Sequence, residues 1–334
     1  MTSRELVYKT LEFKKPQRVP RQLWLLPWAE YKYPMDCQRI RTEYPDDIVG
    51  PKFEFRHKPK TVGDPYSVGT YIDEWGCIFE NIQKGVIGEV KQNLLNDICE
   101  WEKVRLPEEL LSFDIEQINA WCAQTEKFVL AGCCPRPFER LQFICGSTNV
   151  YMNLVSWPSE FSKLLKRIHR FYVEKVTRWC QTNVDAIFFM DDWGSQSSLL
   201  ISPVMWRKIF KPLYKDYIDI AHKYGKKAFM HSDGYIVDIF PDLIELQLDA
   251  INSQIFCMGV EKLAAFRGKI TFWGEIDRQH LLVDGNKADI RCAVEKVRDL
   301  LYVNGGVIAQ SEFGPGAKPE NIRTVFESWN NFVF

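Results

Sequence analysis

From about Lys127 onward, short apolar runs of strand length alternate with longer segments whose apolar positions recur at helical spacing. That rhythm predicts repeated βα units around a parallel sheet. The runs fall at residues 128–131, 186–190, 227–230, 249–252, 270–273 and 307–309, with an earlier one at 22–26. Between them, Pro158 takes a first helical position, and Phe161, Leu164, Leu165, Ile168, Phe171 and Tyr172 repeat on one face, continued by Val176 and Trp179. Ser202-Pro203 opens a second helix ahead of Met205, Trp206 and Ile209, and Pro212 is expected to bend or restart it. A last helix opens at Pro319 and carries Ile322, Val325, Phe326 and Trp329 inward.

Residues 31–101 break the rhythm. They are rich in Pro, Gly, Tyr and Lys and hold only short strand candidates at 70–72 and 88–90. This stretch reads as an elaborated loop and hairpin region after the first barrel strand, covering one end of the fold.

Composition narrows the picture. A chain of 334 residues, 46% hydrophobic and 26% charged, buries one large core, and α/β barrels of this length occur as single domains, so residues 1–334 are expected to be one (β/α)₈ barrel domain. The net charge of −1, with no long basic run, speaks against nucleic acid as a partner. No stretch reaches the roughly eighteen apolar residues of a membrane span, and Met1-Thr2-Ser3-Arg4-Glu5-Leu6 lacks the layout of an export signal. No membrane association and a cytoplasmic location are therefore expected. The ten cysteines contain no C-x-x-C pair and read as reduced, mostly buried thiols.

Parallel barrels place function at the carboxyl ends of their strands. Here the apolar runs end in Asp191-Asp192-Trp193-Gly194-Ser195-Gln196, His231-Ser232-Asp233-Gly234, Asn252-Ser253-Gln254, Gly274-Glu275-Ile276-Asp277 and Gln310-Ser311-Glu312-Phe313-Gly314. On one rim, these side chains build a cavity rich in carboxylates, suited to acid/base work or to holding a cation. Asp191 and Asp192 are adjacent, so one of the two faces the cavity; Asp277 reads equally well as a helix cap. His231 is placed to bind metal or shuttle a proton, unless neighbouring backbone satisfies it. Arg136 and Arg140 follow another strand and either hold a substrate carboxylate or form surface ion pairs. Trp24, Trp28, Trp75 and Trp193 either stack on a ring or fill the core. Gln254 and Gln310 offer amides to a substrate. Nucleotide and serine-hydrolase motifs are absent.

The order of Tyr71-Ile72-Asp73-Glu74-Trp75-Gly76, Phe189-Met190-Asp191-Asp192-Trp193-Gly194, His231-Ser232-Asp233-Gly234 and Gly305-Gly306-Val307 through Pro319-Glu320-Asn321-Ile322 resembles the uroporphyrinogen decarboxylase superfamily. The resemblance covers most of the chain and implies either a decarboxylase of tetrapyrrole acetate groups or a methyltransferase serving corrinoid proteins or thiols. The decarboxylase branch carries an R-Q-A-G-R signature, whereas this chain reads Arg21-Gln22-Leu23-Trp24-Leu25-Leu26-Pro27-Trp28; only Asp73 lies where that branch keeps its aspartate. The thiol methyltransferases bind zinc through H-x-C and a later cysteine, whereas this chain has His231-Ser232-Asp233 and, later, Ser311 or Glu312.

Together these imply a methyltransferase or demethylase acting on a small methyl donor. Its metal site would be His231, Asp233 and Glu312, holding Zn²⁺ or another divalent ion, with the corrinoid supplied by a partner protein. The catalytic candidates are Asp73, Asp191, Asp192 and Glu275, and the substrate contacts are Arg136, Arg140, Trp24, Trp193, Gln254 and Gln310. A carboxy-lyase on a tetrapyrrole or smaller acid, needing no cofactor, and a ligand-binding barrel without chemistry are the alternatives. A homodimer is usual for the superfamily, and a monomer is the other expectation.

Overall fold

The computed structural model describes residues 1–332. Eight parallel strands form a nearly closed barrel: β1 (Arg21–Leu25), β2 (Ile48–Val49), β6 (Phe128–Ala131), β7 (Ala186–Met190), β8 (Lys227–Ser232), β9 (Ala250–Ser253), β10 (Thr271–Trp273) and β11 (Val307–Phe313). Pairing runs β1-β11-β10-β9-β8-β7-β6-β2. The seam between β2 and β1 is bridged by Asp47 N–H donating to the Arg21 carbonyl at 2.9 Å and by Asp46 Oδ1 accepting from Leu23 N–H at 2.6 Å. Helices surround the sheet, among them Ser159–Cys180, whose buried Phe161, Leu164, Leu165, Ile168, Phe171 and Tyr172 form the face that the spacing predicts. No helix among the described residues is long and apolar enough to cross a membrane.

Three further strands, β3 (Gly69–Ile72), β4 (Ile78–Asn81) and β5 (Glu89–Gln92), make an antiparallel sheet outside the barrel. The elaborated region is therefore real, but it follows the second barrel strand and not the first. The sequence hid β2 because two residues, Ile48 and Val49, are too few to show a period.

Two cores result. The larger lies between strands and helices. The smaller fills the barrel with Phe128, Leu130, Phe229, Trp273 and Ile308, and is closed at the bottom by Val7 and Leu11 of the helix Ser3–Leu11. Because side chains alternate along a strand, each inward apolar residue is followed two positions later by another inward residue. Along β8, β9 and β11 that next residue is polar: Phe229 leads to His231, Ala250 to Asn252, and Ile308 to Gln310 and Glu312. A polar layer thus sits directly on an apolar floor.

Candidate active site

The register aligns His231 with Asn252 on β9 and with Met190 on β7. Trp24 lies beside His231 with ring centroids 5.5 Å apart and meets Trp273 edge-on at 5.1 Å, so these indoles form the floor of the site. Asn252 sets the imidazole. Its amide nitrogen donates to the Trp273 carbonyl and, at 3.0 Å, to Gln310 Oε1, so its oxygen must face His231 Nδ1, 2.6 Å away. An oxygen there requires that Nδ1 carry the proton and donate it. Nε2 then points at two carboxylates, Asp192 Oδ1 and Asp233 Oδ1, each 3.5 Å distant.

Among the described residues, Asp192, His231 and Asp233 are the one group of histidine, cysteine and acidic side chains whose ligand atoms lie within 4.8 Å of one another. Asp233 Oδ1 is buried with no hydrogen-bond partner, and the Asp233 N–H holds Asp192 Oδ1 at 2.9 Å. One imidazole nitrogen and two carboxylates suit Zn²⁺ or another divalent ion, and a hydrogen bond on the far ring nitrogen is the usual support of a metal-binding histidine. The residues present therefore fit a metal.

Two loops must cross closely to bring Asp192 and Asp233 together. Gly194 and Gly234 pass backbone against backbone, and Gly234 has φ +77°, so a side chain at either position would collide with the other loop. This explains the recurrence of glycine in Asp192-Trp193-Gly194 and Asp233-Gly234.

Beyond Asp233 stands Arg278, which grips three carboxylates. It contacts Asp233 Oδ2, Glu275 Oε1 at 3.2 Å and Glu312 Oε2 at 2.8 Å. Burial pushes the Glu275 carboxyl well above the usual range, against the pull of Arg278. Glu312 is thus held by Arg278 and stands outside the group of three, in which Asp192 accompanies His231 and Asp233. Arg278 and Glu312 line a cavity of about 540 Å³.

Asp192 lines a second, larger cleft of about 1150 Å³ between the β3-β4-β5 sheet and the rim of the barrel. Glu139 lies on its wall. Burial raises the Glu139 carboxyl to about 7, the neighbouring Asp192 adds to the effect, and Arg136 opposes it. Its Oε2 is buried without a hydrogen-bond partner.

Several expected site residues have other work. Asp191 is fully buried and points away from the cavity: Phe138 N–H and Glu139 N–H donate to it at 3.0 and 2.8 Å, and the Tyr214 hydroxyl at 2.6 Å. It anchors the start of the helix Pro137–Cys145 and does not meet a ligand. Trp193 is also fully buried, stacked on Phe138 at 4.1 Å and donating to the Tyr214 hydroxyl at 2.8 Å, so it is core and not a substrate contact. Gln310 is buried beneath the imidazole, where its oxygen serves Asn252. Gln254 accepts from Gly234 N–H at 3.0 Å and braces the loop after β8. Asp73 lines the larger cleft, but its oxygens accept from Trp75 N–H at 3.0 Å, from Cys77 N–H at 2.8 Å and from Arg140. Arg140 is correspondingly committed to Asp73, with its guanidinium 4.9 Å from the centre of the Trp75 ring. Arg136 also lines the cleft and donates to Met190 Sδ at 3.0 Å.

Arg278 and Glu139 escaped the sequence reading. Arg278 lies in a loop with no period. Glu139 stands in the first turn of its helix, where acidic residues are ordinary.

A family model described as uroporphyrinogen decarboxylase (URO-D) matches residues 70–332. No curated protein matches the chain. Among solved structures, a methyltransferase from Methanosarcina mazei is similar over 99% of both chains, at 13% identity and a TM-score of 0.70. A 3-keto-D-glucoside 4-epimerase from E. coli is 12% identical over 67% of this chain and 86% of its own, with a TM-score of 0.42.

Proposed function

The chain belongs to the uroporphyrinogen decarboxylase family, and on that premise we propose that it is a methyltransferase that takes the methyl group of a small ether and delivers it to a corrinoid carried by a partner protein. The observation that carries this reading is the bare Nε2 of His231 facing Asp192 and Asp233 at the top of the barrel. Those three side chains would hold a divalent cation, which polarises an ether oxygen as a Lewis acid. The full-length likeness to the Methanosarcina mazei protein is a likeness of fold and agrees with this reading without carrying it.

The remaining work falls to the chain's own groups. Asn252 and Gln310 keep the imidazole oriented, and the crossing of Gly194 and Gly234 holds the two carboxylates at bonding range. Trp24 and Trp273 shield the site from below. As the carbon–oxygen bond breaks, its electron pair stays on oxygen and the methyl carbon accepts a pair from the nucleophilic acceptor. The oxygen then needs a proton, and Glu139, whose carboxyl burial on the cleft wall raises to about 7, is the acid able to supply it.

The test is metal content of protein purified without chelator, combined with transfer of isotopically labelled methyl from aryl methyl ethers to a reduced corrinoid protein. Transfer that disappears in His231→Ala and returns with no metal-depleted preparation supports the proposal. Full transfer by metal-free protein overturns it.

A further inference from the structure

The larger cleft extends from Asp192 to a region that the methyl-transfer chemistry leaves unused. There Arg136 and Lys175 both line the wall. Arg140, their neighbour, is already neutralised by Asp73. Arg136 and Lys175 take part in no ion pair among the described residues, and both are half-buried. Burial depresses the Lys175 ammonium, with Glu74 pulling the other way, whereas the Glu139 carboxyl raises the Arg136 guanidinium against its burial. The two cations line the same cleft as Cys134, whose thiol both pull down against its burial.

Half-buried cations held without an ion-pair partner on a cleft wall are placed to take an anionic ligand that supplies the missing charge. The remaining walls say what that ligand looks like. Phe53, Phe55, Trp75, Phe79 and Tyr172 line the same cleft, so much of its wall is aromatic. A guanidinium presents a planar fork that matches a carboxylate through two parallel hydrogen bonds, and an ammonium beside it adds a point charge.

We propose that Arg136 and Lys175 form a carboxylate-binding site, so that the methyl donor is an aromatic acid anchored at this end of the cleft with its ether directed toward Asp192 and His231. For its catalytic meaning this rests on the methyltransferase reading; as a binding site it stands alone. A monoanion is the fitting charge, because Glu139 on the same wall contributes a partial negative charge of its own near Arg136.

The test is calorimetric titration of the full-length, metal-stripped protein with 4-methoxybenzoate and with its uncharged counterpart 4-methoxybenzamide. The acid is expected to bind at least tenfold more tightly than the amide. Arg136→Met and Lys175→Met, which keep the apolar stem, are each expected to weaken the acid at least tenfold and leave the amide within about twofold. Lys175→Arg should restore acid binding. Equal affinity for acid and amide in the unaltered protein, or no acid binding at all, overturns the inference without any variant having to fold. Acid preference together with no methyl transfer from any donor would leave this site standing and remove the methyltransferase reading; transfer confined to uncharged ethers would do the reverse.

Discussion

Asn252 holds His231 through a 2.6 Å hydrogen bond to Nδ1, and its own orientation is dictated by the backbone carbonyl of Trp273. This relationship decides which ring nitrogen is free. Replacing Asn252 by leucine removes the acceptor and lets the imidazole turn or change tautomer. Loss of such outer support typically weakens metal binding about 10- to 100-fold. Competition with a chromophoric chelator measures this directly, and unaltered zinc affinity in Asn252→Leu would detach the amide from any role in metal binding.

The composition of the proposed metal site makes a second, sharper prediction. Glu312 Oε2 is held by Arg278 at 2.8 Å, whereas Asp192 Oδ1 and Asp233 Oδ1 both face His231 Nε2. Glu312→Gln should therefore retain one equivalent of metal, and Asp192→Asn should lose most of it. Metal analysis after dialysis against dilute chelator separates the two. The opposite pattern would restore Glu312 as a ligand and displace Asp192.

How far the chain disclosed this in advance can be judged from particular residues. Seven of the eight barrel strands, all but β2, were legible because a parallel strand covered on both faces is a continuous apolar run, as at Phe128–Ala131 and Ala186–Met190. The rim residues were legible for a related reason: polarity begins abruptly where each run stops. The choice between Asp191 and Asp192 was also encoded. Ala186, Phe188 and Met190 alternate inward along β7, so the next inward position is 192 and Asp191 belongs to the outer shell. Lys175 left a fainter trace, since it stands four residues after Phe171 and three after Tyr172, on the face that the helix Ser159–Cys180 buries. Arg278 left none, because its three partners come from the ends of three different strands and only closure of the barrel unites them.

Asp191 should matter to stability and not to chemistry. It accepts from two backbone N–H groups and the Tyr214 hydroxyl in a fully buried setting. Asp191→Asn replaces one accepting oxygen by a donor, which then faces a backbone N–H at the start of the helix Pro137–Cys145 or the Tyr214 hydroxyl. A loss of about 1–3 kcal/mol is expected from the buried donors left unpaired. Urea denaturation should show a lower midpoint at unchanged slope, with methyl transfer per folded molecule preserved. A variant of normal stability that had lost turnover would return Asp191 to the catalytic group.

Glu139 sets the pH dependence. Its carboxyl is raised from 4.5 to about 7, chiefly by burial, so the folded protein holds a proton there that the unfolded chain releases at lower pH. The sign follows from linkage: the native state binds more protons between about pH 4.5 and 7, so this group's contribution to stability is complete below that window and is lost as pH rises through it. Activity should run the same way, because only the protonated carboxyl can deliver a proton to the departing oxygen. For metal-free protein, the unfolding free energy should fall between pH 5 and 8, and Glu139→Gln should flatten that slope. For the working enzyme, kcat should decline on the alkaline side, and Glu139→Gln should lower kcat roughly 10²-fold or more while abolishing that limb. A cation at Asp192 and His231 stabilises the ionised carboxylate, so loading the metal should move the limb to lower pH. An alkaline limb that survives in Glu139→Gln would assign the proton to another group and leave Glu139 as a buried spectator.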